Sequence, residues 1–214
     1  PWIKNSNDST WSGVSLPWIS YGYELKMSAL QILALYNAVA NDGELVKPYL
    51  VDRIQRGEQI VTSKKVEVLK PSICSQNTIS ILKDLLVGVV KNGTAKNIYS
   101  KMYSCAGKTG TALIASDGSY SSDYRASFAG YFPANNPKYT CVVVVTRPKK
   151  QKYAALVAGP VFAAIANKIY ASNLTYHPAI NERKPLALGL PAVKGGYYRD
   201  VTQVLKHLGV RFQL

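Results

Sequence analysis

Lys108, Thr109, Gly110 and Thr111 follow one another between Ala106-Gly107 and the apolar run Ala112-Leu113-Ile114. Side chains alternate on a β-strand, so the two threonine hydroxyls share one face while Lys108 and Gly110 share the other. Two hydroxyls in line can bind a carboxylate lying along the strand. Gly110 removes a side chain where a substrate backbone must come close. The N–H of Thr111 can point at an oxygen that gains charge during acyl transfer, a contact that carries a few kcal/mol of transition-state stabilisation. Lys108 supplies a positive charge able to hold a hydroxyl proton relay in place. The chemistry these residues suit is acyl transfer at the carboxyl end of a peptide.

Two other readings of the same residues compete, and the first fails. Gly107-Lys108-Thr109 also resembles the end of a phosphate loop, but that motif needs a glycine five positions before Gly107, where Met102 stands. A chance tetrapeptide within a β-hairpin is the plainer alternative.

Elements that would position the strand are legible around it. Ser28 and Gln31 form a capping box, and Leu30, Leu33, Tyr36 and Val39 or Ala40 recur behind it at helical spacing until Asn41-Asp42-Gly43. Tyr49–Ile54 and Gln59–Val66 read as a hairpin around Gly57. A second helix opens near Ser75, carries Ile79, Leu82, Leu86 and Val89 on one face, and ends at Asn92-Gly93. Cys105–Ile114, Ser127–Phe132 and Thr140–Thr146 read as three strands joined by polar turns at 116–123 and 133–138, and short links favour antiparallel pairing. Ala155–Ala171 is a closing helix. Residues 1–26 read as irregular, and Asn181–Gly189 as a linker. Beyond it come an extended Leu190–Val193, a Gly195-Gly196 turn, a helix through Val201, Val204, Leu205 and Leu208 capped by Gly209, and a strand at Val210–Phe212.

Bulk composition narrows the class. At 214 residues, 47% hydrophobic and 18% charged, the chain can bury a core. Its formal charge of +14 attracts acidic partners, yet the lysines are scattered and aromatic–basic interleaving is thin, so no nucleic-acid role is expected. The three cysteines, Cys74, Cys105 and Cys141, are widely spaced and in apolar contexts, which suggests buried free thiols. No metal or cofactor pattern stands out. The apolar runs are too short to span a bilayer, with Ala154–Ala166 interrupted by Gly159-Pro160, so no membrane contact is expected of this chain. With no signal-peptide pattern and Pro1 at the start, the expectation is a piece of a longer protein.

Motifs in a fixed order carry a resemblance. Tyr21-Gly22-Tyr23, Leu30-Gln31, Ala40–Gly43, Gly93-Thr94-Ala95, Ala106–Ala112, Arg125–Pro133 and Val157–Phe162 follow one another between Ser20 and Ala171. The chain resembles the C-terminal part of a class B penicillin-binding protein transpeptidase domain of the division type. The resemblance implies an α+β fold: a five-stranded antiparallel sheet packed between helices, a partial penicillin-binding/β-lactamase-like fold, with Lys108–Thr111 on the strand edging the active site. Residues 1–180 would be this part, 181–189 the linker and 190–214 a truncated tail. Pro191–Gly195, Asp200-Val201 and Leu205–Gly209 are similar to the opening of a PASTA repeat.

The function implied is peptidoglycan D,D-transpeptidation, in which a serine is acylated by a stem peptide and an amine resolves the acyl-enzyme. Lys108 and Thr111 would be catalytic, with Thr109, Gly110 and Thr111 binding substrate. Implied partners are stem peptides, β-lactams and division-complex proteins, at the periplasmic face of the inner membrane. Two departures stand out. Tyr153 is followed by Ala154-Ala155 where the family has paired glycines, and the family's nucleophile and Ser-x-Asn are absent. Ser80–Lys83 fits Ser-x-x-Lys and Ser75–Asn77 fits Ser-x-Asn, but their order is reversed, both crowd one helix, and Ser75 suits an N-cap. The chain alone is therefore expected to be inert. Other classes consistent with the residues are a non-catalytic peptidoglycan- or partner-binding module, and a β-lactamase or carboxypeptidase relative.

Overall fold

The computed structural model describes residues 1–116, 119–173, 175 and 196–209 and, within these, all side chains but those at 115, 116 and 119–121. The chain divides into two compact units, Pro1–Ser172 and Asn173–Leu214.

In the first unit, residues 1–26 are more ordered than their composition suggests. Strands β1 (Trp2–Ile3) and β2 (Leu25–Lys26) pair antiparallel, with the short helix α1 (Ser15–Ser20) between them. An ion pair closes this loop: Lys4 Nζ lies 2.6 Å from Glu24 Oε1, with both side chains largely buried. The hydrogen bond from Lys4 holds the Glu24 carboxyl below its usual range. Such a pair joins residues far apart in sequence, which composition does not reveal.

Helix α2 (Ala29–Ala40) begins as expected. Gln31 N–H donates to Ser28 Oγ at 3.2 Å, and Ser28 N–H donates to Gln31 Oε1 at 2.9 Å. It ends where Asp42 and Gly43 take positive φ, 53° and 98°. Burial grows toward its C-terminus: Leu30 is exposed, Leu33 and Tyr36 are half-buried, Val39 and Ala40 are buried. Strand β3 (Leu45–Val46) follows, then the hairpin of β4 (Arg53–Arg56) and β5 (Gln59–Ser63) turning at Gly57, then β6 (Val68–Lys70), which pairs with β3. The hairpin is narrower than the expected Tyr49–Ile54 and Gln59–Val66. Beyond β4 and β5 the two arms keep one backbone bond, Lys64 N–H to Asp52 C=O at 2.8 Å, and among the described residues no strand pairs with 49–51, where Leu50 is 96% exposed.

Helix α3 (Gln76–Lys91) is capped by Ser75, whose Oγ accepts from Thr78 N–H at 3.2 Å. It buries Ile79 and Val90 and half-buries Leu82, Leu86 and Val89. A single 3₁₀ turn at Lys96–Ile98 leads to the main sheet.

That sheet holds β7 (Ala106–Ser116), β8 (Ser119–Phe132) and β9 (Tyr139–Thr146) in the order β7-β8-β9, antiparallel throughout. Among the described residues it has three strands, not the five implied by the resemblance. The expected turn at 116–123 is mostly strand: after a register shift between Leu113 and Ala115, pairing resumes at Ala115–Tyr120 and Ser116–Ser119. An antiparallel ladder is held by backbone hydrogen bonds, so it can outrun the core that its apolar residues mark.

Helix α4 (Ala154–Ser172) matches the expected closing helix Ala155–Ala171, and because it runs on through Gly159-Pro160 its apolar run is longer than the one expected. Pro160 lacks an N–H for the Leu156 carbonyl, but both residues are exposed, so water can take that carbonyl. At 19 residues α4 is long and apolar enough to cross a membrane by length and composition. In this fold one side of it packs on the sheet, the Phe162 ring lying 4.7 Å from Phe128 and 5.7 Å from Phe132. On the opposite sheet face Tyr131 and Ala106 meet Val39 and Ala40, with Leu82 and Leu86 alongside. The sheet is thus held between α4 and the α2–α3 pair. Cys105 is buried, Cys74 and Cys141 are half-buried, and all three are free.

The second unit holds α5 (Tyr198–His207), followed by Gly209 at φ 67°. The expected linker at 181–189 and the extended segments at 190–193 and 210–212 lie outside the described residues.

Candidate active site

Among the described residues β7 pairs only with β8, so one edge of β7 is open to a further strand. Register assigns its faces. Thr109, Thr111 and Leu113 sit opposite Phe128, Ala126 and Tyr124, on the α4 side, while Lys108 and Gly110 sit opposite Ala129 and Ser127, on the other side. The backbone can be oriented too. Thr109 C=O accepts from Lys108 Nζ at 2.9 Å, and Gly110 C=O accepts from Ser127 Oγ on β8 at 3.4 Å. Gly110 therefore turns toward β8 and Thr109 toward the open edge. Alternation of the antiparallel ladder puts the Thr111 N–H on that open edge as well.

Each hydroxyl is held by a neighbour. Thr109 Oγ1 lies 3.0 Å from Thr94 Oγ1. Thr111 Oγ1 accepts from Ala154 N–H at 3.1 Å, at the start of α4. Accepting that bond leaves the Thr111 O–H free to donate to a ligand. Lys108 is exposed, with Nζ also 3.4 Å from Thr109 Oγ1. One cation, two hydroxyls and one edge N–H thus line a short length of strand. This arrangement can bind an extended peptide by its terminal carboxylate.

Gly110 has a nearer constraint than substrate approach. A Cβ there would lie 2.7 Å from Ser127 Oγ, so that hydroxyl would have to turn aside to admit it. The alanines that replace the family's paired glycines do not push α4 away. Ala154 is 1% exposed, its methyl turned into the core while its N–H reaches Thr111. Asn97 Nδ2 donates to Ala155 C=O at 2.6 Å and ties the turn after α3 to the same end of α4.

Thr94 belongs to this group, and the sequence marked it only as part of Gly93-Thr94-Ala95. The decoys do not join it. Lys83 Nζ is 2.6 Å from Asp42 Oδ1, an ion pair that engages the lysine away from the exposed Ser80. Ser75 serves as a helix cap. Cys105, next to β7, is no nucleophile near neutral pH, because burial pushes its thiol up to about 11.

An antiparallel sheet clasped by helices carries Lys-Thr-Gly-Thr on its edge strand, one of the three motifs that mark penicillin-binding proteins and class A β-lactamases. Comparison with known proteins agrees. Residues 3–167 match the penicillin binding protein transpeptidase domain. The chain is 31% identical over 182 residues to the peptidoglycan D,D-transpeptidase FtsI homolog of Mesostigma viride, covering 78% of this chain and 30% of that protein. Its fold matches the apo transpeptidase domain of Burkholderia pseudomallei penicillin-binding protein 3 with a TM-score of 0.62 at 31% identity, over 76% of this chain and 47% of that one. For Mycobacterium tuberculosis penicillin-binding protein 3 complexed with ampicillin, the TM-score is 0.68 at 26% identity, over 82% and 41% of the two chains. The chain belongs to the transpeptidase domain family of the class B, FtsI-type penicillin-binding proteins. It spans less than a third of the Mesostigma protein's length.

Proposed function

We propose that this chain supplies the carboxylate-binding wall of a D,D-transpeptidase that cross-links peptidoglycan stem peptides at the cell envelope. The observation that carries the reading is the open β7 edge, where Thr109 and Thr111 hydroxyls are fixed by Thr94 and Ala154. In the reaction a serine attacks the penultimate D-Ala carbonyl, the terminal D-Ala leaves with a proton, and an amine of a second stem peptide resolves the ester. Thr109 and Thr111 hydroxyls hold the terminal carboxylate. The Thr111 N–H donates to the oxyanion, Lys108 holds the proton relay by its charge, and Gly110 lets the strands close up.

Neither Ser80 nor Ser75 is the attacking serine in this reading, since they serve neither its order nor its chemistry. The periplasmic face of a membrane, β-lactam acylation and contacts with division proteins follow for the whole enzyme from the same reading. Incubation of the chain with a fluorescent penicillin tests it. No band should survive denaturation; a denaturation-stable band would place the nucleophile within the chain and overturn that part of the reading.

A further inference from the structure

Strands β4 and β5 stand bare on both faces. All nine of their residues are exposed, and among the described residues no strand pairs with either outer edge. A two-stranded hairpin alone in water is marginally stable, and a third strand steadies it. This hairpin exposes Ile54, Ile60 and Val61, each by more than half. Register divides the two isoleucines between the faces: Ile54 opposite Thr62 lies on one, Ile60 opposite Gln55 on the other. Alternation along β4 puts Arg56 with Ile54 and Arg53 with Gln55. Each face thus offers one isoleucine and one arginine. Val61 is the extra residue of a bulge in β5, so the regular edge is that of β4. Asp52 C=O points to β5, accepting from Lys64 N–H at 2.8 Å, so the Arg53 N–H and C=O turn to the open edge.

Charge on this segment is lopsided. Lys47, Arg53, Arg56, Lys64, Lys65 and Lys70 stand against Asp52, Glu58 and Glu67. Glu67 pairs with Lys47 and Asp52 lies 3.8 Å from Arg53, while Arg56, Lys64 and Lys65 have no ion pair among the described residues. We propose that the β4 edge is a docking site for an acidic, extended segment of a partner protein, which adds as a third strand. Such a strand presents its side chains alternately to the two faces. Along Arg53 to Arg56 it meets a cation, an apolar side chain, an amide and a cation, so the fitting pattern is acid, apolar, any, acid. A membrane surface would cover one face and leave the isoleucine of the other in water. Antiparallel pairing of β4 with its own copy, centred on the strand, would set Arg53 against Arg56 in a chain of formal charge +14. The inference is independent of peptide binding at β7, because the hairpin is carried by β3 and β6 and shares no residue with the Thr109–Thr111 group.

A synthetic peptide carrying Glu-Val-Thr-Glu tests this, titrated into the 214-residue chain with the backbone amides observed. Arg53–Arg56 should shift, and the Arg53 N–H should exchange more slowly with solvent, as new strand pairing requires. Thr109 and Thr111 should stay still. The same peptide with Lys in place of both Glu should not bind. R53E/R56E, at two exposed positions, should weaken the Glu peptide by about tenfold and let the Lys peptide bind. K101E, an exposed charge change outside the hairpin, should leave both results as they are. Equal binding of the two peptides, shifts without slowed exchange at Arg53, or an effect of K101E as large as that of R53E/R56E would overturn the inference. So would failure of the Glu peptide to move β4, whether phosphatidylglycerol vesicles or a second copy of the chain moved it instead.

Discussion

Thr111 joins two tasks through one oxygen: it accepts from the first turn of α4 and keeps a proton to donate. T111V keeps the shape and removes both. Hydrogen bonds to charged groups are the stronger kind, so binding of a D-Ala-D-Ala peptide should fall by about tenfold or more, read by titration. Gly110 makes a separate claim. G110A would drive a methyl into Ser127 Oγ and should destabilise the chain by about 1–3 kcal/mol in denaturant unfolding. Adding S127A should recover most of that loss. If G110A were neutral for stability and harmed only peptide binding, the constraint would come from substrate instead.

Helices and strands differ in how openly the sequence declares them. Ser28 with Gln31, and Ser75 with Thr78, are local signals, and both caps form where the spacing puts them. S28A should cost about 1 kcal/mol. Helix α4 forms where the sequence places its closing helix, and Phe162 seated between Phe128 and Phe132 fixes its inner face on the sheet. F162A should cost about 3–5 kcal/mol in denaturant unfolding. The stretch Ser119–Asp123 misleads: it reads as a turn, yet its backbone is strand, with Ser119 and Tyr120 paired to Ser116 and Ala115. Likewise the Lys-Thr-Gly-Thr strand was legible in the sequence. Thr94 against Thr109, Asn97 against Ala155 and Lys152 against Tyr124 were not, because each contact exists only once the chain has folded.

Taken whole, the molecule carries ionisable groups that link its stability to pH at both extremes. Burial raises the Cys105 thiol to about 11, so the folded state keeps a proton that the unfolded chain releases near 9. That stabilisation is complete below about pH 9 and is lost as pH rises through 11. C105A should flatten the fall in stability across that window, measured by urea unfolding. At the acid end Glu24 acts with the opposite sign. Its lowered carboxyl stabilises the fold above the ordinary carboxylate range and ceases to do so as pH falls through the folded value. K4M should weaken that acid dependence.

Peptide recognition at the open β7 edge is tested most directly by comparing a D-Ala-D-Ala peptide with its C-terminal amide, watching the backbone amides of the 214-residue chain. The acid should shift Thr109 and Thr111, and the amide should not. Equal shifts from both ligands, or shifts confined to residues away from β7, would contradict the account.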